Sequence, residues 1–197
     1  MKKTLIPGLF VLLCLGSTLT QAQSKKDKED LSTGELLVQT TGSELAPGSE
    51  PGAAQSLNRA VLAQDGIGNR GTIDQRLLGA GRGNAATIAQ DGNGNAAAIL
   101  QNGFGNRTTI VQLGNNNTAA SEINGRNTES DILQKGNNNR VDQRLNVDDR
   151  RYSVEQMGNN NQLVQRENGS HTPGYGVSMK GEGIRVIVEQ GKVSAMP

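Results

Sequence analysis

Gln90-Asp-Gly92-Asn-Gly-Asn95-Ala-Ala97-Ala-Ile99-Leu-Gln101-Asn-Gly103-Phe-Gly-Asn106-Arg-Thr108-Thr-Ile110-Val-Gln112 spans one full period of the chain and decides its fold. Two runs in it alternate with period two, the pattern of a strand with unlike faces. One face carries Asn95, Ala97, Ile99 and Gln101, then Asn106, Thr108, Ile110 and Gln112. Gly-Asn links interrupt the alternation about every 11 residues. A helix needs apolar spacing of 3.6, so the helical reading fails on period.

The signature Gln-x-Gly-x-x-Asn recurs at Gln64 to Asn69, Gln90 to Asn95, Gln112 to Asn117, Gln134 to Asn139 and Gln156 to Asn161. The last three intervals are 22 residues and the first is 26, with the extra residues expected in the stretch Arg76 to Ala80. A fixed period of this length marks a repeat architecture. A weaker copy lies halfway through each period, led by Gln75, Gln101, Ile123, Leu145 and Glu167. The expected fold is therefore all-β: a β-solenoid of about five strand-arc-strand coils, with two short parallel sheets stacked face to face.

Stacking the units predicts columns of like residues about 4.8 Å apart. Inner columns read Leu62, Ile88, Ile110, Ile132, Val154 and Ala60, Ala86, Thr108, Ser130, Tyr152, with Tyr152 read as a core filler. The ladder columns are Gln64, Gln90, Gln112, Gln134, Gln156 and Asn69, Asn95, Asn117, Asn139, Asn161. Inward amides at that spacing can donate to one neighbour and accept from the next. The arc glycines Gly66, Gly92, Gly114, Gly136 and Gly158 supply positive φ. In the later half-units Gln143 and Gln165 appear two places earlier than Gln101 does, where Ile73 and Ile99 stood. Arg70, Arg107, Glu122, Asp131 and Arg140 fall on outward positions.

Composition agrees with a thin core. The chain of 197 residues has 26 Gly, 20 Asn and 15 Gln, but no Trp and only 2% aromatic residues. Large apolar side chains normally offset backbone entropy, so an ordinary enzyme core is excluded. Simple disorder is excluded as well, because Val, Ile and Leu recur in phase and the net charge is only +1. That charge gives no reason to expect nucleic acid as a partner.

Four segments follow. Residues 1–22 read as a secretory signal: Lys2 and Lys3, an apolar run from Leu5 to Leu15, and small residues before a cleavage point after Ala22. Cys14 admits a lipoprotein reading, but Leu13 stands where a small residue is expected. Cleavage would remove this single cysteine and with it any disulfide or Cys-based metal site. Residues 23–56 read as a flexible polar leader, either a solvated linker or a recognition segment for export. Residues 57–170 hold the repeats. Residues 171–197 read as a loop, a possible extra strand from Ile184 to Gln190, and a tail. With Gln190 placed in the Gln64 column, that strand implies a 12-residue insertion.

The motif Gln90-Asp-Gly92-Asn-Gly-Asn95-Ala-Ala97-Ala-Ile-Leu-Gln101 resembles the curlin repeat of curli fibre subunits, over about Asn58 to Glu167. The resemblance implies a secreted bacterial protein that polymerises into extracellular functional amyloid for the biofilm matrix and adhesion. It also implies its partners: copies of itself, a companion curli subunit, and an outer-membrane export pore with accessory factors. Asn58, Asn84 and Asn106 stand where the family usually has Ser, and Ile123, Leu145 and Glu167 replace expected Gln. The resemblance leaves open whether the chain is of the major or the minor, nucleating type.

Other motifs carry less. Gly66-Ile-Gly68-Asn-Arg-Gly71 matches a dinucleotide fingerprint but opens no helix. Asp91-Gly-Asn93-Gly-Asn95 hints at a calcium loop, yet the positions equivalent to Asp91 include Leu113, Lys135 and Met157. His171, the single histidine, has no catalytic partners in view. No catalytic residue, cofactor or metal is expected. A self-assembling structural subunit is favoured over a monomeric solenoid adhesin or ice-binding protein. The outward position shared by Arg70, Ala96, Thr118, Arg140 and Gln162 has no common chemistry for a flat binding face. A solenoid enzyme would need clustered acids or histidines.

Overall fold

A computed structural model describes residues 57–169 and 173–191. The expected signal and leader lie outside the described residues, as does His171. Twelve strands follow one another: β1 (Arg59–Asp65), β2 (Arg70–Leu77), β3 (Ala85–Asp91), β4 (Ala96–Phe104), β5 (Arg107–Leu113) and β6 (Thr118–Arg126). Then come β7 (Glu129–Lys135), β8 (Arg140–Asn146), β9 (Arg151–Asn159), β10 (Gln162–Asn168), β11 (Gly176–Glu182) and β12 (Arg185–Gly191). Odd strands form one parallel sheet in the order β1-β3-β5-β7-β9-β11, and even strands form the other. Each odd-even pair is one coil, so the described residues form an all-β solenoid of six coils.

Register follows the period. Leu62 pairs with Ile88, Ile88 with Ile110, Ile110 with Ile132 and Ile132 with Val154. The facing column runs Gly71, Ala97, Ala119, Val141, Leu163, Val186. Gly71 meets the Leu62 side chain: a Cβ on it would fall 2.4 Å from Leu62 Cδ1. The two columns therefore trade volume, large opposite small in the early coils and nearly equal in the last. Small residues on one side let the sheets approach, so a core with few bulky groups still excludes water. Ile88, Ile110, Ile132, Ala119, Val141 and Leu163 are all buried.

A second apolar cluster of Ile123, Leu145, Val147 and Tyr152 lies beside the first. It accounts for the departures in the later repeats. In the second coil Ile99 and Gln101 are the inward pair on the even strand; in the fourth coil the pair is Gln143 and Leu145. Amide and aliphatic groups have exchanged places. Ile123 and Leu145 fill the vacated column and pack with Tyr152, which is 1% exposed. Gln143 continues an amide ladder two residues earlier, accepting from Ser121 and Ser130 and donating to Gln165 at 2.9 Å. The sheet does not decay toward its end; its inner face is transposed.

Outward charges run as ladders too. Arg107, Glu129 and Arg151 occupy one column, with Arg151 also 3.6 Å from Asp131, and Arg144 sits 3.6 Å from Glu122. These are exposed pairs, which contribute little to stability.

Three expectations change. The four extra residues of the first period are Leu78 to Gly81, slightly later than expected, because Leu77 still pairs with Gly103 and the Arg82 carbonyl accepts the Gly105 N–H. Gly81 lies against the Phe104 ring, where a Cβ would come within 2.2 Å of it. The terminal strand is not alone: β11 and β12 together make a sixth coil. Gln190 pairs with Glu167 in the even sheet, not with the Gln64 column, whose sixth place is Met179. The 12-residue insertion disappears. One extra residue suffices, lying between Asn168, which keeps the interval of 22, and Gly176, which pairs with Ser153.

Candidate assembly interface

The coils are held by two polar ladders of different construction. In the first, Gln90 Nε2 donates to Gln112 Oε1 at 2.7 Å, Gln112 to Gln134 at 2.8 Å and Gln134 to Gln156 at 2.9 Å. Gln64 lies against Gln90 at the start of the row. The second amide hydrogen crosses to the other sheet: Gln112 Nε2 reaches the Ala96 carbonyl at 3.0 Å and Gln134 the Thr118 carbonyl at 3.1 Å. Gln112 and Gln134 are fully buried, so these contacts replace water that the amides have lost. Each amide accepts from the coil before and donates to the coil after. The row has a direction.

The Asn column works otherwise. Asn95 Oδ1 accepts the Asn117 backbone N–H at 3.0 Å, and Asn117 Oδ1 accepts that of Asn139 at 3.0 Å. Its Nδ2 donates to an arc carbonyl of the next coil: Asn95 to Gly114 and Asn117 to Gly136, both at 2.7 Å. Asn69, Asn139 and Asn161 repeat the arrangement with Gly92, Gly158 and Gly181. The expected amide-to-amide row is thus largely a side-chain clamp on backbone; only Asn139 also donates to Asn117 Oδ1, at 3.1 Å. The reason is reach. Asn is one methylene shorter than Gln and sits where the chain turns, next to peptide groups with no strand partner.

The arc glycines supply the other half of that clamp. Gly114 has φ 117°, and a Cβ there would lie 2.1 Å from the Gly136 carbonyl oxygen. Gly66, Gly92, Gly136 and Gly158 are placed alike, each under the carbonyl of the next coil. Two residues on, a second left-handed position is Gly68 or Gly94 early and Asn116, Asn138 or Asn160 later. Asn tolerates that conformation.

A second clamp is built from residues whose type alone does not mark a ladder. Asn84 accepts the Asn106 N–H and Asn106 that of Thr128, each at 3.0 Å, on the opposite arcs. Thr128 then substitutes its hydroxyl, donating to the Val147 carbonyl at 2.8 Å. The signal was present in Asn58, Asn84 and Asn106, read only as departures from an expected Ser. Back on the first arcs a partly exposed row adds to the Asn column: Asn115 Nδ2 donates to Asn137 Oδ1 and Asn137 to Asn159, both at 3.1 Å.

At the far end the chemistry changes. Glu167 is 1% exposed and accepts a hydrogen bond from the Tyr175 hydroxyl. Tyr175 meets Tyr152 edge to face, ring centroids 5.3 Å apart. Burial, then the bond to Glu167, pushes the Tyr175 phenol above its usual pKa, so it remains a donor. Among the described residues no group of three His, Cys, Asp or Glu side chains could hold a metal.

Among the described residues, both ends of the solenoid are open strand edges. β1 and β2 have neighbours on one side only, as do β11 and β12. At the first end Leu62 is 47% exposed, whereas its column mates Ile88 and Ile110 are fully buried. The surface that the second to fifth coils bury is half exposed there.

Comparison with known proteins agrees with the repeat. Residues 81–114 and 92–120 each match the curlin associated repeat. The resemblance read from Gln90 to Gln101 is thereby shown for the centre of the solenoid. Among curated proteins none matches the chain.

Proposed function

We propose that this chain is a secreted structural subunit that assembles into extracellular curli-like amyloid fibres, serving a biofilm matrix and adhesion. The observation that carries the reading is the pair of uncovered coil edges on a molecule whose interior is already a coil-on-coil stack. An edge of parallel strands with unpaired N–H and C=O groups is a template for another coil. Docking another coil extends the same hydrogen-bond ladder, as cross-β stacking does. The curlin repeat supports the same reading, since the family's subunits polymerise. The partners are then other copies, a companion curli subunit, and an export pore with its accessory factors. The mechanism requires no catalytic residue, cofactor or metal, and nothing in it calls for nucleic acid.

The alternative within this class is a minor subunit that templates a companion. The transposed inner face of the later coils favours it, because those coils differ from the regular repeat that a bulk polymer would use throughout. Time-resolved thioflavin fluorescence with electron microscopy on the 23–197 chain tests the proposal. A lag followed by fibres, shortened by seeds, is the expected outcome. Chains that remain monomeric for days, unchanged by seeds, would sink it.

A further inference from the structure

The two ends of the solenoid are not complementary to each other. Every coil from the first to the fifth presents Gln and Asn at the two ladder columns to the coil after it. The sixth has Met179, only 2% exposed, and the half-buried Ile184 at those places instead, and so presents no amide. Gln156 Nε2 ends its row on the Met179 sulfur at 3.5 Å, and a thioether has no hydrogen to pass on. Ile184 has its own N–H held by Asn161 at 3.0 Å, but it offers no Oδ1 for a following N–H and no Nδ2 for a following carbonyl.

Sterics point the same way. Over Gly158, as over the earlier arc glycines, the space is filled by the next coil's carbonyl, 1.9 Å from a built Cβ. Over Gly181 the nearest group is the Ile184 side chain, at 3.4 Å. The chain covers with its own aliphatic group the spot where a following arc would sit.

Charge adds a third count. Continuing the register onto a second copy places Arg185 next to Arg70 and Glu189 next to Asp74. Within the chain, that first column (Arg70, Ala96, Thr118, Arg140, Gln162, Arg185) never sets two charges side by side, whereas the second already tolerates Arg144 beside Arg166, so the Arg185–Arg70 meeting is the one that counts. Like charges directly opposite destabilise a strand pair. In the other direction, Gln190 would meet Gln75 and Lys180 would meet Asp65, and the backbone edge remains open. The joint is weakened, not forbidden.

We propose that the sixth coil is a stop, and that the chain enters a stack through its first coil, onto an edge carrying Gln and Asn at the Gln64 and Asn69 columns. The partner it fits is a curlin-type subunit ending in such a coil. Its own C-terminal edge fits poorly. This rests on the fibre reading and refines it: one end of the molecule recruits and the other retards.

The test restores the ladder without deleting the coil. In the 23–197 chain, M179Q/I184N supplies the two missing amides, and M179L/I184L controls for altered packing. Restoring the two missing amide bonds predicts end-to-end association at least about tenfold tighter, with a shorter thioflavin lag. Sedimentation equilibrium reads the association and microscopy the fibres; the Leu variant should match the unaltered chain. If all three chains form fibres with equal lag, the stop is refuted while the fibre reading stands. If M179Q/I184N associates no more than the others and none forms fibres, both are refuted.

Discussion

Replacing Gln112 and Asn117 together with Ala should destabilise the folded chain by about 3–6 kcal/mol, because several buried polar groups lose partners at about 1–3 kcal/mol each. Loss of Gln112 removes the acceptor of Gln90 Nε2 and the donor to Gln134 Oε1. Loss of Asn117 leaves the Asn139 N–H and the Gly136 carbonyl without their side-chain partner. A cost of that size is a large fraction of the stability of most domains. The matching change on the outer surface, Q162A/R166A, removes one exposed ion pair with Glu189 and should cost less than about 1 kcal/mol. Urea unfolding of the soluble chain checks the first figure, and the thioflavin lag checks its consequence. The inner double variant should assemble far more slowly than the outer one. Equal lags would contradict the assignment of faces.

Gly114→Ala should be nearly as damaging, at about 3–5 kcal/mol, although it adds one methyl group. Two costs coincide there. The conformation at φ 117° is one that Ala avoids, and the new Cβ would overlap the Gly136 carbonyl at 2.1 Å. That carbonyl is the one Asn117 holds, so relief of the clash breaks the clamp. Gly183→Asn is the informative contrast. It has φ 67° with nothing within 4 Å of a built Cβ, and the same arc position carries Asn116, Asn138 and Asn160 in earlier coils. It should change the melting temperature by no more than about 2 °C. The two glycines differ in arc position, in φ and in what a Cβ would meet, and only the structure gives the last two.

That contrast shows what could be read in advance. The period of 22 was plain because a column is a physical object: identical neighbours 4.8 Å apart must suit one another, so Gln64 to Gln156 stay Gln and Asn69 to Asn161 stay Asn. Strand phase, sheet count and inner face followed from that requirement. The sixth coil was hidden because it abandons those residues. Met179 and Ile184 break both signatures, and one extra residue between Asn168 and Gly176 shifts the phase, so Gln190 appeared to belong to the wrong sheet. The Asn clamp was half legible. Position marked the residue, but only geometry shows Oδ1 holding backbone and not another amide. Thr128 at the end of the second clamp could not be recognised by type at all.

The transposition in the later coils carries a similar lesson. Ile123 and Leu145 look like losses when each column is read alone. They are compensated by Gln143 and Gln165 in the adjacent column and by Tyr152 across the core. The move of Gln143 and Gln165 to the places of Ile73 and Ile99 is visible in the sequence, but its compensation by Tyr152 across the core is not.

The account's central claim is that chains join coil on coil, preserving the solenoid, and mass per unit length measures it most directly. Six coils at about 4.8 Å each make a molecule about 29 Å long along the stack. Scanning transmission electron microscopy of unstained fibres should therefore find one chain per about 29 Å in a single filament. A value near one chain per 4.8 Å, about six times denser, would mean that chains stack as flat layers and not as intact solenoids, and would contradict the account.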